Sequence, residues 1–521
     1  MRRTIEKIRE TKAITLIALV VTIVVLLILA AVSINLILDE NGIIKKSKDA
    51  RKSWLEAQEK EQQAIDDFVK ENLPSWDGKT TELPETKANE TTGKLDWYIY
   101  NEGQMKFLAN YVNETLTQQD LNLIADNGMT KEDLKITEDT TIYLMNDLNL
   151  GAVIDQQGNL ISGEQWVPIG PSKTQILEGT FEGNNHYICG VYINREEKYN
   201  GIFGNCSTIK NLTIKNSYIE GGACTGGTAG VARKGIVDNC HNINTKVVLK
   251  EEALYTVGGV IGQSTGEKVA NCTNTGTVVS YGSRNFCQMG GICGLLMNTD
   301  IINCSNYGKI IQEVDEDLET ISDLNAYVGG ICGVFMTNME GKGIIKECHN
   351  GAEIKGIIAV GGIVGGSYIG TTIQNCSNTG KIEACSVVGG IVGQLGNTEN
   401  GLSHSILKEC YNSGNITRKN MQDYSQIGGI IGLIRDKGRE DVISKCYSKG
   451  NILNAKEGCG AVIGEEENIE GKAKISDLYY YQEVGVGAIN NTDDETRRLQ
   501  PVTEDIKTYD EFVEWIKNIN N

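Results

Sequence analysis

Cysteine is the residue type in this sequence whose spacing most invites a chemical interpretation. The chain has 15 cysteines among 521 residues, and most of them recur at a regular interval. The recurring positions after Cys206 are Cys240, Cys272, Cys304, Cys348, Cys376, Cys410 and Cys446. Evenly spaced thiols can form disulfides, bind a soft metal, or pack as small apolar side chains.

Packing is the interpretation that we favour for these thiols. The number of cysteines, 15, is odd, and it corresponds to about 3% of the chain, whereas disulfide-rich scaffolds exceed about 8%. An extracellular location would favour the alternative, a disulfide framework. A column of thiols that binds metal is the other alternative.

Histidine and acidic residues offer little catalytic chemistry. The four histidines are His186, His241, His349 and His404, and no two of them have a metal-ligand spacing such as HExxH. One acidic cluster comprises Asp315, Glu316, Asp317, Glu319 and Asp323. We interpret it as a solvated loop, with a Ca²⁺ site or a polysaccharide-cleaving site as the alternative. The sequence thus predicts a protein that is not an enzyme and has no cofactor.

A repeated Gly-Gly phrase explains how the cysteines could be positioned. The phrase begins at residues 226, 258, 290, 329, 361, 389 and 428, with degenerate copies at 200 and 460. Its best copies contain Gly258 and Gly259, Gly290 and Gly291, Gly329 and Gly330, Gly361 and Gly362, Gly389 and Gly390, and Gly428 and Gly429. A unit near 32 residues that tolerates insertions at fixed places is typical of a solenoid.

The cysteine phrase fills the space between successive Gly-Gly phrases. An asparagine stands two residues after six of the cysteines, at Asn242, Asn274, Asn306, Asn350, Asn378 and Asn412. Short runs of β-formers between these corners predict strands rather than helices. We therefore predict a mainly β fold, a right-handed parallel β-helix. Its thiols point inward, its glycines allow sharp corners, and its asparagines form a polar column with left-handed backbone.

The β-helix is expected to span residues 97–490, with its first coils in 97–200. Residues 491–521 form a tail in which Tyr509, Phe512, Val513 and Ile516 share one face of a helix. Because a solenoid has to cover its ends, we interpret this helix as a cap over the last coil. A helix that binds a partner protein is the alternative.

The amino-terminal region predicts a membrane anchor. Residues 13–38 carry no charge over 26 positions, enough for a transmembrane helix, whereas a cleaved signal peptide has a shorter apolar region. The basic leader 1–12 is expected to be cytoplasmic and the rest extracytoplasmic. Residues 39–71 favour a helical stalk and 72–96 a polar linker. The net charge of −19 argues against a nucleic-acid partner.

The segment KAITLIALVVTIVVLLILAAVSI resembles the start of type IV pilins and pseudopilins. This resemblance implies leader cleavage between Ala13 and Ile14, although the usual leader glycine is replaced by Ala13. Ala18 stands where pilins carry a glutamate that neutralises the amine of a neighbouring subunit. The resemblance covers about 30 residues and implies, as one alternative, pilin-like partner subunits.

The Gly-Gly and cysteine phrases resemble GLUG-motif repeats of bacterial surface proteins. Some secreted metalloproteases that cleave immunoglobulin A carry such repeats as accessory regions, but their HExxH motif does not occur in this sequence. The resemblance implies a bacterial right-handed β-helix with a capping helix near residues 101–116. Our hypothesis is a membrane-anchored, non-enzymatic surface rod for adhesion or envelope structure, with a glycan or protein ligand. A minor pilin and a carbohydrate-active β-helix enzyme are the alternatives.

Overall fold

The computed structural model describes the chain from residue 76 to residue 519. Within that span it omits residues 156, 251–254, 282–286, 314–325, 338–342, 369, 397–403, 420–425, 437–440, 455–458, 469–472 and 483–498. The predicted leader (1–12), membrane helix (13–38) and stalk (39–71) lie outside the described residues, as do Ala13 and Ile14. Residues 76–521 belong to one compact unit. Among the described residues, no helix is long and apolar enough to cross a membrane.

The described part is built from short strands in three large sheets and one small hairpin, and every ladder between successive coils is parallel. We name the 29-stranded sheet I, the nine-stranded sheet II and the eight-stranded sheet III. Each repeat contributes one strand to sheet III, passes the Gly-Gly corner and runs through sheet I in two or three segments. It then turns at Asn-x-Gly and enters sheet II. Mainly β structure with parallel stacking is thereby confirmed. Its right-handed winding stays a prediction.

Sheet I contains 29 strands. Its initial strands are Glu85–Ala88, Leu95–Ile99, Thr141–Leu144, Leu148–Asn149, Leu177–Glu182, Tyr187–Cys189 and Phe203–Lys215. The strands that follow the Gly-Gly corner are Ala229–Arg233, Ile261–Thr265, Cys293–Met297, Cys332–Met336, Val364–Ser367, Val392–Leu395, Ile431–Asp436 and Ile463–Asn468. The strands that precede or include the cysteine positions are Ile236–Ile243, Lys268–Ala270, Asp300–Ile302, Gly343–Lys346, Thr371–Gln374, Ile406–Lys408, Val442–Ser448 and Lys474–Tyr481. The asparagine strands and the last strand are Thr273–Asn274, Ser305–Asn306, His349–Asn350, Ser377–Asn378, Tyr411–Asn412 and Leu499–Val502.

Sheets II and III complete each coil. The nine strands of sheet II are Tyr192–Arg195, Tyr218–Gly221, Lys246–Leu249, Val278–Tyr281, Ile310–Glu313, Ile354–Lys355, Ile382–Ala384, Ile416–Arg418 and Ile452–Leu453. The eight strands of sheet III are Thr225–Gly226, Tyr255–Gly258, Cys287–Gly290, Tyr327–Gly329, Ile358–Gly361, Ser386–Gly389, Ile427–Gly428 and Cys459–Gly460. The antiparallel hairpin pairs Val153–Ile154 with Leu160–Ser162.

Two apolar clusters fill the interior of the stack. The larger cluster lies inside sheet I and includes the cysteines together with residues such as Ile292 and Ile301. The smaller cluster lies between sheets II and III and includes residues such as Met289 and Ile310. The asparagine side chains reach from one corner to the opposite Gly-Gly corner, as shown by Asn306 beside Gly291, and so lie between the two clusters.

The first coils are covered by two helices, α1 (Glu102–Val112) and α2 (Gln118–Asp126). Asn101 begins α1 because its side chain accepts a hydrogen bond from the Gln104 N–H at 3.0 Å. Thr117 and Asp120 form a capping box at the start of α2. The apolar face of α1, which includes Phe107 and Leu108, packs on the core of sheet I. These contacts close the amino-terminal end of that core.

Two segments outside the coils, an internal hairpin and the carboxy-terminal helix, pack along the side of the stack. The hairpin 153–162 lies against the outer face of sheet II, where Tyr192 and Tyr218 stack at 5.8 Å between ring centroids. Helix α3 (Tyr509–Ile519) packs on Tyr411, Tyr447 and Tyr479, which occupy one outward column of sheet I. This helix therefore covers the side of three successive coils, whereas the sequence interpretation placed it over the last coil.

Candidate functional site: the inward thiol and carboxamide columns

Seven cysteines form one inward column in sheet I, which we name the thiol column. Its members are Cys240, Cys272, Cys304, Cys348, Cys376, Cys410 and Cys446, each at most 1% exposed. Leu212 is in register with Cys240 at one end, and Leu478 is in register with Cys446 at the other. The column is therefore closed at both ends by larger apolar side chains.

The thiols of this column are free and held by weak hydrogen bonds. None of the seven column cysteines forms a disulfide. In each coil the Sγ donates to the carbonyl oxygen two residues earlier, as Cys272 does to Ala270 at 3.1 Å and Cys376 does to Gln374 at 3.2 Å. Burial raises the pKa of the Cys304 and Cys410 thiols because an apolar interior disfavours the thiolate. Because all seven side chains are at most 1% exposed, we interpret these thiols as packing groups.

The other cysteines lie outside the thiol column. Cys206 is in register with Ala232, so the place that the sequence pattern gave it belongs to Leu212. Asn211, directly before Leu212, has the same left-handed backbone as the residue before each column cysteine. It therefore marks Leu212 as the inward position, a signal that the cysteine spacing did not show. Cys293 and Cys332 stack in a separate pair after the Gly-Gly corner, and burial raises the pKa of Cys293 to about 12.

The six asparagines form a second inward column, the carboxamide column: Asn242, Asn274, Asn306, Asn350, Asn378 and Asn412, each fully buried. Asn306 shows the pattern. Its Nδ2 donates to Asn350 Oδ1 at 2.9 Å and to the Gly308 carbonyl at 3.0 Å. Its Oδ1 accepts from Asn274 Nδ2 at 2.8 Å and from the Gly308 N–H at 3.2 Å. All four hydrogen-bonding positions of the side chain are thus satisfied.

Both positions of the Gly-Gly corner require glycine, because neighbouring atoms leave no room for a Cβ at either one. A Cβ on Gly290 would overlap the Cys293 carbonyl, because the chain turns tightly there. A Cβ on Gly291 would overlap the Asn306 side chain and the Gly330 carbonyl of the next coil. The same two kinds of overlap recur at Gly258 and Gly259. The second glycine therefore leaves the space that the side chain of the column asparagine occupies.

Left-handed backbone occurs at a different position from the one that the sequence suggested. None of the six column asparagines has a positive φ; the residue directly before each column cysteine does, as at Asn271 (55°), Asn303 (54°) and Asn375 (55°). Side chains of a regular strand alternate between the two faces of the sheet. The kink interrupts this alternation, so that the inward side chains of the preceding strand and the cysteine all face the core. Asparagine tolerates the conformation, but Glu347 (58°), Glu409 (56°) and Lys445 (54°) also adopt it.

The histidines are dispersed over the outside of the stack. His186 lies 3.1 Å from Asp147, His241 lies 2.9 Å from Asn239, and His349 lies 2.9 Å from Ser377. His404 is exposed. Across the described ranges, no group of three or more potential ligands could hold a metal ion. The acidic cluster in 314–325, from Asp315 to Asp323, lies outside the described residues.

Comparison with known proteins adds one motif family. The GLUG motif matches residues 253–279 and 356–383, and each match contains a Gly-Gly corner, a column cysteine and a column asparagine. The chain therefore contains GLUG repeats. No curated protein matches the chain.

The solved structures that are similar to this chain include the following two. A candidate immunoglobulin A1 protease from Bacteroides ovatus is 16% identical over 73% of this chain and 84% of its own, with a TM-score of 0.33. A structure named IgA1 Protease is 14% identical over 73% of this chain and 24% of its own, with a TM-score of 0.36.

Proposed function

We propose that the protein is a non-enzymatic, membrane-anchored component of the bacterial cell surface. Its GLUG coils form a stiff β-solenoid that serves adhesion or envelope structure. The uncharged run 13–38 holds it in the membrane, and the solenoid is extracytoplasmic. Its partner is a surface glycan or protein, and it does not bind nucleic acid.

One observation supports this proposal most directly: the repeated residues are used for stacking. In a typical coil, Cys304 packs in the thiol column, Asn306 bonds to the coils on either side, and Gly291 fits against Asn306. A repeat whose shared residues all serve the stack builds length and stiffness. Variation is left to the outer surface, where a ligand would be recognised.

A cell-surface assay and an activity assay test this proposal together. Bacteria expressing the chain are treated with an impermeant biotin reagent, and the purified solenoid, residues 76–521, is incubated with panels of bacterial and host polysaccharides and with immunoglobulin A. We expect biotin labelling of the solenoid, retention in the membrane fraction, and binding without cleavage. Hydrolysis or lysis of any of these substrates would instead support an enzyme.

A minor pilin is the second candidate function, favoured by the pilin-like residues Ala13 to Ile17. In that case the leader is removed and the chain joins a filament. Mass spectrometry of the native amino terminus separates the two proposals. A mature chain that begins at Ile14 supports the pilin, whereas one that retains Met1 and the leader supports simple anchoring.

A further inference from the structure

We propose that a groove beside helix α3 binds a small anionic amphiphile, whose apolar body lies against the helix and whose carboxylate or sulfonate lies between Lys445 and Lys517. The groove has a volume of about 470 Å³, within the range of ligand sites. It lies on the outside of sheet I, away from the inward columns. It is therefore independent of the display function proposed above.

One wall of the groove is the apolar face of α3. Tyr509, Phe512, Val513 and Ile516 line it and follow the i, i+3, i+4, i+7 spacing of a helical stripe. Phe512 is fully buried and packs on Tyr411 and Tyr447, with ring centroids 6.0 Å and 6.1 Å away. These aromatic contacts fix the helix, so this wall is formed before any ligand arrives.

The opposite wall comes from three successive coils. Asn375, Glu409 and Lys445 line it, and each directly precedes a column cysteine in left-handed backbone. Because equivalent residues of adjacent coils are separated by about 4.8 Å, this wall is roughly 10 Å long. That length suits a fused-ring system or a medium acyl chain. Glu409 in the middle of the wall can accept a hydrogen bond from a ligand N–H or O–H.

The charges favour an anionic head group. Lys445 and Lys517 both line the groove, and neither ammonium group has a carboxylate partner within 4 Å among the residues that the structure describes. Lys449, four residues further along, instead pairs with Asp505. Among the lining residues, two ammonium groups stand against the single carboxylate of Glu409, and the nearby Glu347 is paired with Lys346 at 3.0 Å, so the groove has a net positive charge in a chain of net charge −19. Because Lys445 is half-buried, water screens its attraction for an anion less than it screens that of the exposed Lys517.

Binding to the purified full chain tests the proposal, with 8-anilinonaphthalene-1-sulfonate and decanoate as probes. We expect saturable one-to-one binding of the sulfonate and competition by decanoate. Exchanging both lysines (Lys445→Gln with Lys517→Gln) should weaken decanoate binding by about tenfold, the equivalent of about 1.4 kcal/mol. The matched control is Lys408→Gln, which keeps the coil but does not line the groove.

A second variant distinguishes the groove from general surface binding. Val513→Trp narrows the groove from the helix side and should abolish binding of both probes while the melting temperature stays close to that of the wild type. If decylamine binds as well as decanoate, if the double lysine variant binds normally, or if neither probe saturates at one per chain, the proposed site is wrong.

Discussion

The thiol column and the carboxamide column run side by side through the same coils, two residues apart, yet they differ in what they contribute. A column cysteine such as Cys304 packs among apolar atoms, donates one long S–H bond to Ile302 at 3.5 Å and accepts one long N–H bond from Cys272 of the preceding coil at 3.4 Å. A column asparagine such as Asn306 makes four hydrogen bonds, two of them to neighbouring coils. The carboxamides, with shorter and more numerous bonds between coils, therefore contribute most to the alignment of the coils, whereas the thiols mainly fill space.

The comparison predicts its largest effect for the loss of a carboxamide in the middle of the column. Asn306→Leu leaves one Asn274 Nδ2 proton, one lone pair of Asn350 Oδ1 and the Gly308 carbonyl buried and unsatisfied. Asn274 Nδ2 keeps its bond to Gly276, and the Gly308 N–H keeps its bond to the Asn274 carbonyl. Since each unsatisfied group costs about 1–3 kcal/mol, we expect a loss of about 4 kcal/mol or more in the free energy of unfolding. Urea denaturation of the solenoid, followed by circular dichroism, measures it. A loss below that of Cys304→Ala would reverse the ranking of the two columns.

A substitution at the Gly-Gly corner should lower the free energy of unfolding almost as much. Gly291→Ala places a methyl group on Asn306 and on the Gly330 carbonyl, and overpacking of this kind costs about 1–3 kcal/mol. Because backbone atoms form part of the obstacle, we expect a value near the upper end. Gly351→Ala is the matched control, since a Cβ there meets mainly the exposed Tyr307 ring. Equal melting temperatures for the two variants would contradict the close-packing account.

Removal of a thiol from the middle of its column should lower the free energy of unfolding by less. Cys304→Ala removes one buried sulfur and leaves a small cavity, for which we expect about 1–2 kcal/mol. Cys304→Ser puts a smaller and more polar side chain in the same position, but its hydroxyl can still donate to the Ile302 carbonyl, so it should cost about the same. Parallel urea titrations of both variants decide the matter. A loss equal to that of Asn306→Leu would mean that the thiols also align the coils.

Much of this arrangement could be predicted from the sequence because stacking repeats the same residue at the same place. The interval between Gly-Gly phrases indicated parallel coils, and the burial of Cys240 to Cys446 follows once those coils are aligned. Cys206 was placed in the wrong column because spacing alone cannot show that Leu212 takes the inward position. The left-handed residue was assigned to the column asparagine, since asparagine favours that backbone, although the kink lies before the cysteine.

Contacts between distant segments could not be predicted in the same way. That α3 packs on Tyr411, Tyr447 and Tyr479 depends on residues 30 to 100 positions apart, and no repeat marks them. The partner of the second glycine was also missed, because Gly291 and Asn306 meet across the interior rather than along a strand. Its signal was present in the sequence, since the two phrases occur in the same units.

Alkaline pH offers a smaller test of how apolar the thiols' surroundings are. Burial raises the pKa of Cys293 from 9.0 to about 12, so the unfolded chain loses this proton from about pH 9 upward while the folded chain keeps it. The stability from this thiol is therefore complete below about pH 9 and is lost as the pH rises toward 12. Between pH 8 and pH 10, Cys293→Ala should lose about 1 kcal/mol less stability than the wild type. Identical pH slopes would place this thiol in contact with solvent.

The smallest expected effect lies at the carboxy-terminal end of the carboxamide column, where Ser448 is in register with Asn412. Its Oγ is buried and has no hydrogen-bond partner, Gly429 lies against it as Gly291 lies against Asn306, and Gly450 follows it by two residues as Gly308 follows Asn306. Ser448→Asn should extend the column, because its Oδ1 can accept from Asn412 Nδ2 and its side chain can bond to Gly450. We expect a gain of about 1 kcal/mol, whereas Ser448→Ala, which only removes the unpaired hydroxyl, should gain less. Thermal unfolding of both variants checks the order. If alanine stabilises more than asparagine, an additional asparagine at position 448 does not join the hydrogen-bonded column. The difference between the two columns is then limited to their central coils.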